Sequence, residues 1–109
     1  MSTYRHPPDQ VVLDEIVRRI VAVAQPEKII LFGSAARGEM NRHSDLDLLV
    51  VKDGVHRGDM TENIYRNLRG VEAAVDVIVV TPGDVERYRN SHALVIKPAL
   101  REGKVIYAA

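Results

Sequence analysis

Three aspartates stand at or near the start of apolar, strand-forming segments, where packing alone would not place a carboxylate. Asp45 and Asp47 open the run 45–51, and Asp76 lies near the start of the run 75–80. Because side chains alternate along a strand, Asp45 and Asp47 point to the same face with their Cβ atoms roughly 7 Å apart. Two carboxylates so close resist ionisation unless a cation lies between them. The pair therefore predicts a site for a divalent cation.

The chemistry of that cation follows from its ligands. Carboxylate oxygens at this spacing suit Mg²⁺ better than zinc or copper. If the strand that contains Asp76 neighbours the strand that contains Asp45 and Asp47, the third carboxylate joins the same cluster. Three acidic ligands from two strands can hold two Mg²⁺ ions, which stabilise the attacking and leaving oxygens of an in-line phosphoryl displacement. The three aspartates are therefore both the candidate metal ligands and the candidate catalytic residues.

A candidate phosphate-binding segment precedes the aspartates. Gly33 and Ser34 follow the apolar run 28–32 directly, and the segment 35–43 is expected to contain a short helix and a loop. A glycine lets the backbone approach a ligand closely, and free N–H groups at a helix start, together with the Ser34 hydroxyl, can bind a phosphate. Arg37 lies one turn further on and can reach the same anion. A Gly-Ser pair after a strand is usually a plain turn, so its meaning depends on the nearby aspartates.

The spacing of these groups resembles the signature of the nucleotidyltransferase superfamily that includes DNA polymerase β. Gly33-Ser34 is followed, after ten residues, by Asp45-Leu46-Asp47. The fuller segments 33–38 and 44–48 are similar to the minimal nucleotidyltransferase (MNT) branch of that superfamily. Asp76 stands where the family has its third acidic residue. The resemblance covers nearly the whole chain.

The resemblance implies an α+β fold, with a small mixed β-sheet and helices packed on it in the order α-β-α-β-α-β, in one domain over 1–109. It implies ATP as the favoured donor, two Mg²⁺ ions, and transfer of a nucleoside monophosphate to an acceptor hydroxyl with release of pyrophosphate. By the same resemblance, Gly33 and Ser34 bind the triphosphate, and Arg37 neutralises phosphate charge. Asp45 and Asp47 ligate both metals. Asp76 ligates the catalytic metal and helps to remove the proton of the acceptor hydroxyl.

The acceptor is also suggested by the resemblance alone. Many MNT proteins are encoded beside a HEPN-domain toxin, and some act as antitoxins that adenylylate a tyrosine of that partner. This implies a HEPN toxin as partner in a hetero-oligomer. Two alternatives stay open: a catalytic subunit that modifies a small-molecule hydroxyl, such as an aminoglycoside-like compound, and a non-catalytic antitoxin that caps its partner sterically. The intact aspartates argue against steric capping, because carboxylates crowded without a metal would destabilise the fold.

Composition excludes several other classes of function. The 109 residues allow one domain and leave no room for a separate acceptor-binding module. Lysine plus arginine equals aspartate plus glutamate at 15 each, so no concentrated basic surface predicts DNA binding or template-directed synthesis. The absence of cysteine excludes a disulfide scaffold and thiolate chemistry. With no membrane-spanning run and no apolar leader, we expect a cytoplasmic protein.

The elements that must position these residues follow from hydrophobic periodicity and from helix start and stop signals. Asp9 caps a first helix that ends at Pro26, and Thr81 with Pro82 begins a helix that continues to about residue 89. The other predicted helices are 57–69 and 91–102, and the predicted strands are 28–32, 45–51, 75–80 and, at a sheet edge, 105–107. In this scheme Glu102 is an ordinary helix-terminal residue before the stop at Gly103.

Overall fold

A computed structural model describes residues 9–38, 45–88 and 101–109. Its helices are α1 (Gln10–Ala24), α2 (Arg57–Asn67) and α3 (Pro82–Tyr88), and its strands are β1 (Lys28–Phe32), β2 (Leu46–Val51), β3 (Val75–Val80) and β4 (Lys104–Ala108). These three helices accompany a four-stranded mixed sheet, which confirms the predicted α+β class. None of the helices within the described ranges combines the length and apolar character needed to cross a membrane.

The four strands form one mixed sheet in the order β3-β2-β1-β4. β1 is antiparallel to both β2 and β4, whereas β2 and β3 are parallel. The mixed sheet confirms the prediction made from the family resemblance. Because of these directions, the N-terminal ends of β2, β3 and β4 and the C-terminal end of β1 all lie at one edge of the sheet. That edge, here called the aspartate edge, carries Asp45, Asp47 and Asp76.

The two faces of the sheet are covered differently. One face packs against α1 and α2 and forms the larger core, in which Ile16, Ile20, Leu48, Val50 and Ile64 are buried. The opposite face forms a smaller cluster, with Ile30, Leu49, Val51 and Val80 buried and Phe32, Ile78 and Val85 partly buried. β2 is apolar on both faces, as expected of a central strand. Side-chain alternation places Asp47 on the same face as Leu49, opposite α1 and α2.

Local signals explain the helix boundaries. The Asp9 side chain accepts a hydrogen bond from the Val11 N–H and caps α1, as predicted. α1 ends at Ala24, and the next residue, Gln25, adopts the left-handed conformation with φ of 46°. The predicted start of α3 is also confirmed, because the Thr81 hydroxyl accepts from the Asp84 N–H and the Asp84 carboxylate accepts from the Thr81 N–H, both at 3.0 Å.

α2 differs in detail from its prediction and has an additional role. It begins after His56, which accepts a hydrogen bond from the Asp59 N–H, and it ends at Asn67 rather than at residue 69. On its other side, the Tyr65 hydroxyl accepts a hydrogen bond of 2.8 Å from the Val77 N–H. Among the described strands β3 lies at the end of the sheet order, so this bond satisfies a backbone donor that none of those strands pairs.

One predicted helix, in the segment after β1, is not formed over its described residues, and another lies almost wholly outside the described residues. After β1, residues 33–38 form a turn with a bond from the Arg37 N–H to the Gly33 carbonyl and another from the Gly38 N–H to the Ala35 carbonyl. Gly38 has a φ of 69°, a left-handed conformation that stops a helix. The residues that follow, 39–44, lie outside the described residues. Of the predicted last helix, only 101–102 are described, and both are helical.

Candidate functional site

Three carboxylates meet on one face of the sheet at the aspartate edge. Asp47 and Asp76 are register partners on the parallel strands β2 and β3. Asp45 precedes Asp47 by two residues, which directs both side chains to the same face. The carboxyl groups of Asp45 and Asp76 lie close enough to interact. The structure therefore brings the three aspartates together, as the sequence predicted on the condition that their strands are neighbours.

The cluster is electrostatically strained. The pKa of Asp47 is raised, first by partial burial and then by the negative charges of Asp76 and Asp45. The pKa of Asp76 is also raised: desolvation by the surrounding protein is the largest cause although the residue is exposed, and repulsion by Asp45 and the hydrogen bond with it follow. At neutral pH, ionising all three groups therefore costs free energy.

These features fit a hard divalent cation. The donors are all carboxylate oxygens, and a cation between them would relieve the repulsion that raises the pKa values. As placed, no three His, Cys, Asp or Glu side chains within residues 9–38, 45–88 and 101–109 close around a common ion position. The carboxylates nevertheless approach one another closely enough to interact electrostatically.

Gly33 lies against this cluster. It follows β1 directly, and the last residue of β1, Phe32, is the register partner of Asp47. A Cβ atom on Gly33 would meet the Asp47 Oδ2 atom closer than real Cβ atoms approach any neighbour. Gly33 also has a φ of 73°, which L side chains rarely adopt. Backbone conformation and close approach thus both require glycine here.

The rest of the turn presents two polar side chains. Ala35 and Ala36 are buried and attach the turn to the core, whereas Ser34 is half-buried and Arg37 is exposed. The turn backbone replaces the helix start predicted as part of the phosphate-binding segment. Gly33, Ser34 and Arg37 nonetheless lie together at the aspartate edge, because the antiparallel pairing of β1 with β2 brings the end of β1 to Asp47.

Sequence reasoning missed Glu102. It is the last helical residue before Gly103, as predicted, but it also forms an ion pair that was not predicted: its Oε2 atom lies 3.4 Å from a guanidinium nitrogen of Arg37. The two residues are 65 positions apart, so no local pattern could reveal the contact. Only the pairing of β4 with β1, in which Lys104 is the partner of Leu31, brings Glu102 to this edge.

Comparison with known proteins gives one match to a family model and several to solved structures. The family model described as polymerase beta, nucleotidyltransferase, matches residues 14–109. No sequence among the curated proteins matches this chain. The family match includes every residue of the aspartate cluster and of the turn.

Solved structures share the fold at low sequence identity. A Sulfolobus solfataricus protein assigned to the nucleotidyltransferases is 23% identical, with a TM-score of 0.53, over 93% of this chain and 90% of that one. A complex of a tri-AMPylated Shewanella oneidensis HEPN toxin with its MNT antitoxin gives a TM-score of 0.62 at 15% identity, over 92% of this chain and 72% of that one. A toxin–antitoxin structure with AMP-PNP gives 0.58 at 18% identity, over 88% and 73%.

Proposed function

Because this chain belongs to the polymerase beta nucleotidyltransferase family, we propose that it transfers AMP from ATP to a hydroxyl group in a Mg²⁺-dependent reaction. The observation that carries the proposal is the juxtaposition of Asp45, Asp47 and Asp76 beside the Gly33 turn. Carboxylates that repel one another at the edge of a sheet are unfavourable for folding, but they suit the binding of divalent cations.

Each residue has a proposed role. Asp45, Asp47 and Asp76 would hold two Mg²⁺ ions, which when bound supply charge neutralisation at the triphosphate and at the attacking oxygen. Asp76 would also accept the proton of the acceptor hydroxyl. The backbone of Gly33 and the side chains of Ser34 and Arg37 would bind the triphosphate and orient it for in-line attack.

We propose a HEPN-domain toxin as the partner, and a tyrosine of that toxin as the acceptor. The support is the shared fold with an MNT antitoxin in complex with a tri-AMPylated HEPN toxin. The two proteins would form a hetero-oligomer in the cytoplasm, where the partner and ATP are both available. Adenylylation would add a bulky anionic group to the toxin and so act as the antitoxin activity.

A labelling experiment tests the proposal. The full chain is incubated with ATP labelled at the α-phosphate and with Mg²⁺, in the presence and absence of the HEPN protein encoded beside it, and both proteins are then analysed by mass spectrometry. We expect the partner to gain one or more adenylyl groups, and the Asp45→Asn variant to lose this activity. The Asp53→Asn variant changes an exposed aspartate just beyond the other end of β2 and should retain it.

Two other results would contradict protein adenylylation. A tight complex that carries no label on either protein would contradict protein adenylylation and favour steric capping. Label on an added aminoglycoside-like compound, and not on the partner, would instead identify a small-molecule acceptor.

A further inference from the structure

The ion pair between Arg37 and Glu102 connects the turn after β1 to the segment before β4. Arg37 belongs to the turn that begins at Gly33, and its N–H donates to the Gly33 carbonyl at 3.3 Å. Glu102 immediately precedes Gly103 and β4. Because β4 runs antiparallel to β1, the start of β4 lies beside the end of β1. The topology therefore brings a carboxylate from a distant part of the sequence to the proposed triphosphate site.

The geometry of this pair is that of a weak interaction. The contact between Arg37 and Glu102 spans 3.4 Å, whereas charge-assisted N–H···O bonds are typically about 2.7–2.9 Å long. Both side chains are about half exposed, at 46% and 50%. Exposed ion pairs of this kind are screened by water and by salt, and ordering two long side chains offsets much of their attraction. Such a contact can be exchanged at little cost.

A triphosphate is a stronger partner for the same guanidinium. Phosphate oxygens match the planar fork of an arginine and can accept two parallel hydrogen bonds. The Glu102 carboxylate cannot bind the phosphates, because both are negatively charged. At the turn that carries Arg37, a bound triphosphate and Glu102 would therefore compete for one cation.

We propose that Glu102 is an affinity-determining residue of the nucleotide site: its carboxylate holds Arg37 in the nucleotide-free protein and yields it to the triphosphate on binding. This inference rests on the proposed function, in which Arg37 faces the triphosphate. Glu102 thereby weakens nucleotide binding, and the return of Arg37 to Glu102 favours the release of pyrophosphate. If Glu102 instead oriented Arg37 towards the nucleotide, removal of its charge would weaken binding.

The two roles predict opposite changes in the dissociation constant of a non-hydrolysable ATP analogue, measured by calorimetry with Mg²⁺ on the full chain. We expect Glu102→Gln to tighten binding about two- to fivefold, equivalent to about 0.4–1 kcal/mol. The gain should disappear when Arg37→Gln is also present, because the competing pair no longer exists. Glu62→Gln is the matched control, since Glu62 forms an exposed ion pair with Arg66 on α2, and it should leave the affinity unchanged.

Several outcomes would overturn the proposal. Unchanged or weaker binding by Glu102→Gln would contradict competition while leaving the nucleotide site intact. An equal gain in the Arg37→Gln background would show that Glu102 acts by general repulsion and not through Arg37. If the wild-type chain bound no analogue at all, the proposed nucleotidyltransferase function itself would fail, a result distinguishable from the other two.

Discussion

The close approach of Gly33 to Asp47 allows a sharp test of the site, the substitution Gly33→Ala. The added methyl group would have to occupy space that the Asp47 Oδ2 atom already fills. It would also place an L residue at a φ of 73°. Gly54, in the turn after β2, offers a matched control, because its φ is 74° and a Cβ there would meet nothing within 4 Å. The two variants thus share the backbone strain and differ in the contact.

The magnitudes follow from these two contributions. An L residue in the left-handed region destabilises the folded state by roughly 1–2 kcal/mol. Replacing glycine by alanine also stabilises the fold by about 0.4–1 kcal/mol, because alanine restricts the unfolded chain. Gly54→Ala should therefore lower the free energy of unfolding by about 1 kcal/mol. At Gly33 the methyl group must also push the Asp47 carboxylate off its rotamer, at an additional cost of about 0.5–1.5 kcal/mol.

The effect on activity should be larger than the effect on stability. A displacement of about 1 Å in a group that positions reactants can reduce a rate about a hundredfold. We therefore expect Gly33→Ala to lose about two orders of magnitude in adenylyl transfer to the partner, while Gly54→Ala stays close to wild type. Urea unfolding followed by circular dichroism measures the stability of each variant, and labelled ATP measures transfer at a temperature where both are folded.

Two results would refute this reasoning. Equal losses of activity in Gly33→Ala and Gly54→Ala would show that the contact with Asp47 is irrelevant. Full activity in a folded Gly33→Ala variant would show that the turn and Asp47 do not form one site.

Further predictions concern charge and hydrogen bonding. The pKa of Asp47 is higher in the folded protein than in the unfolded chain. Its protonated carboxyl group therefore contributes stability below the unfolded pKa, and this contribution is lost as the pH rises through the folded pKa. Asp47→Asn should therefore raise the melting temperature at pH 7 and give no gain near pH 3, and Mg²⁺ should stabilise the wild type more than this variant. Tyr65→Phe should cost about 0.5–1.5 kcal/mol in urea unfolding, because the Val77 N–H loses its acceptor, whereas Tyr107→Phe leaves that bond in place and serves as the control. Hydrogen bonds from two arginines of α1 lower the pKa of Glu15 to about 2. The wild type should therefore lose stability relative to Glu15→Gln as the pH falls from about 4.5 towards 2. Parallel acid-unfolding curves of the two proteins would contradict this prediction.

Much of the fold could be predicted because its signals are local. The strands 28–32 and 75–80 have the predicted bounds, since each is a short apolar run rich in β-branched residues with polar or turn-forming neighbours. The caps Asp9 and Thr81 were identifiable because their side chains bond to backbone only a few residues away. The His56 cap was not predicted, since histidine is not among the preferred capping residues.

The candidate site was predictable only in part. The identity of its aspartates and of Gly33 was visible in the sequence, because residue types and alternation suffice to propose a carboxylate cluster. Its assembly was not, since the pairing of Asp47 with Asp76 depends on which strands are neighbours. The contact between Glu102 and Arg37 could not be predicted for the same reason, because the sequence pattern contains no information about the pairing of β4 with β1.

The long gap between Gly33-Ser34 and the paired aspartates has a structural reason. β1 ends at Phe32 and the antiparallel β2 begins at Leu46, so the chain must leave the sheet and return to the same edge. Phe32 then pairs with Asp47, and the residue after Phe32 lies so close to the Asp47 side chain that a Cβ there would displace the carboxylate. The glycine and the aspartate are thus consequences of a single antiparallel connection, and changing either residue alters the surroundings of the other. Ser34, Arg37 and Asp45 lie on the same connection, so a pattern spread over fifteen positions can specify one compact arrangement.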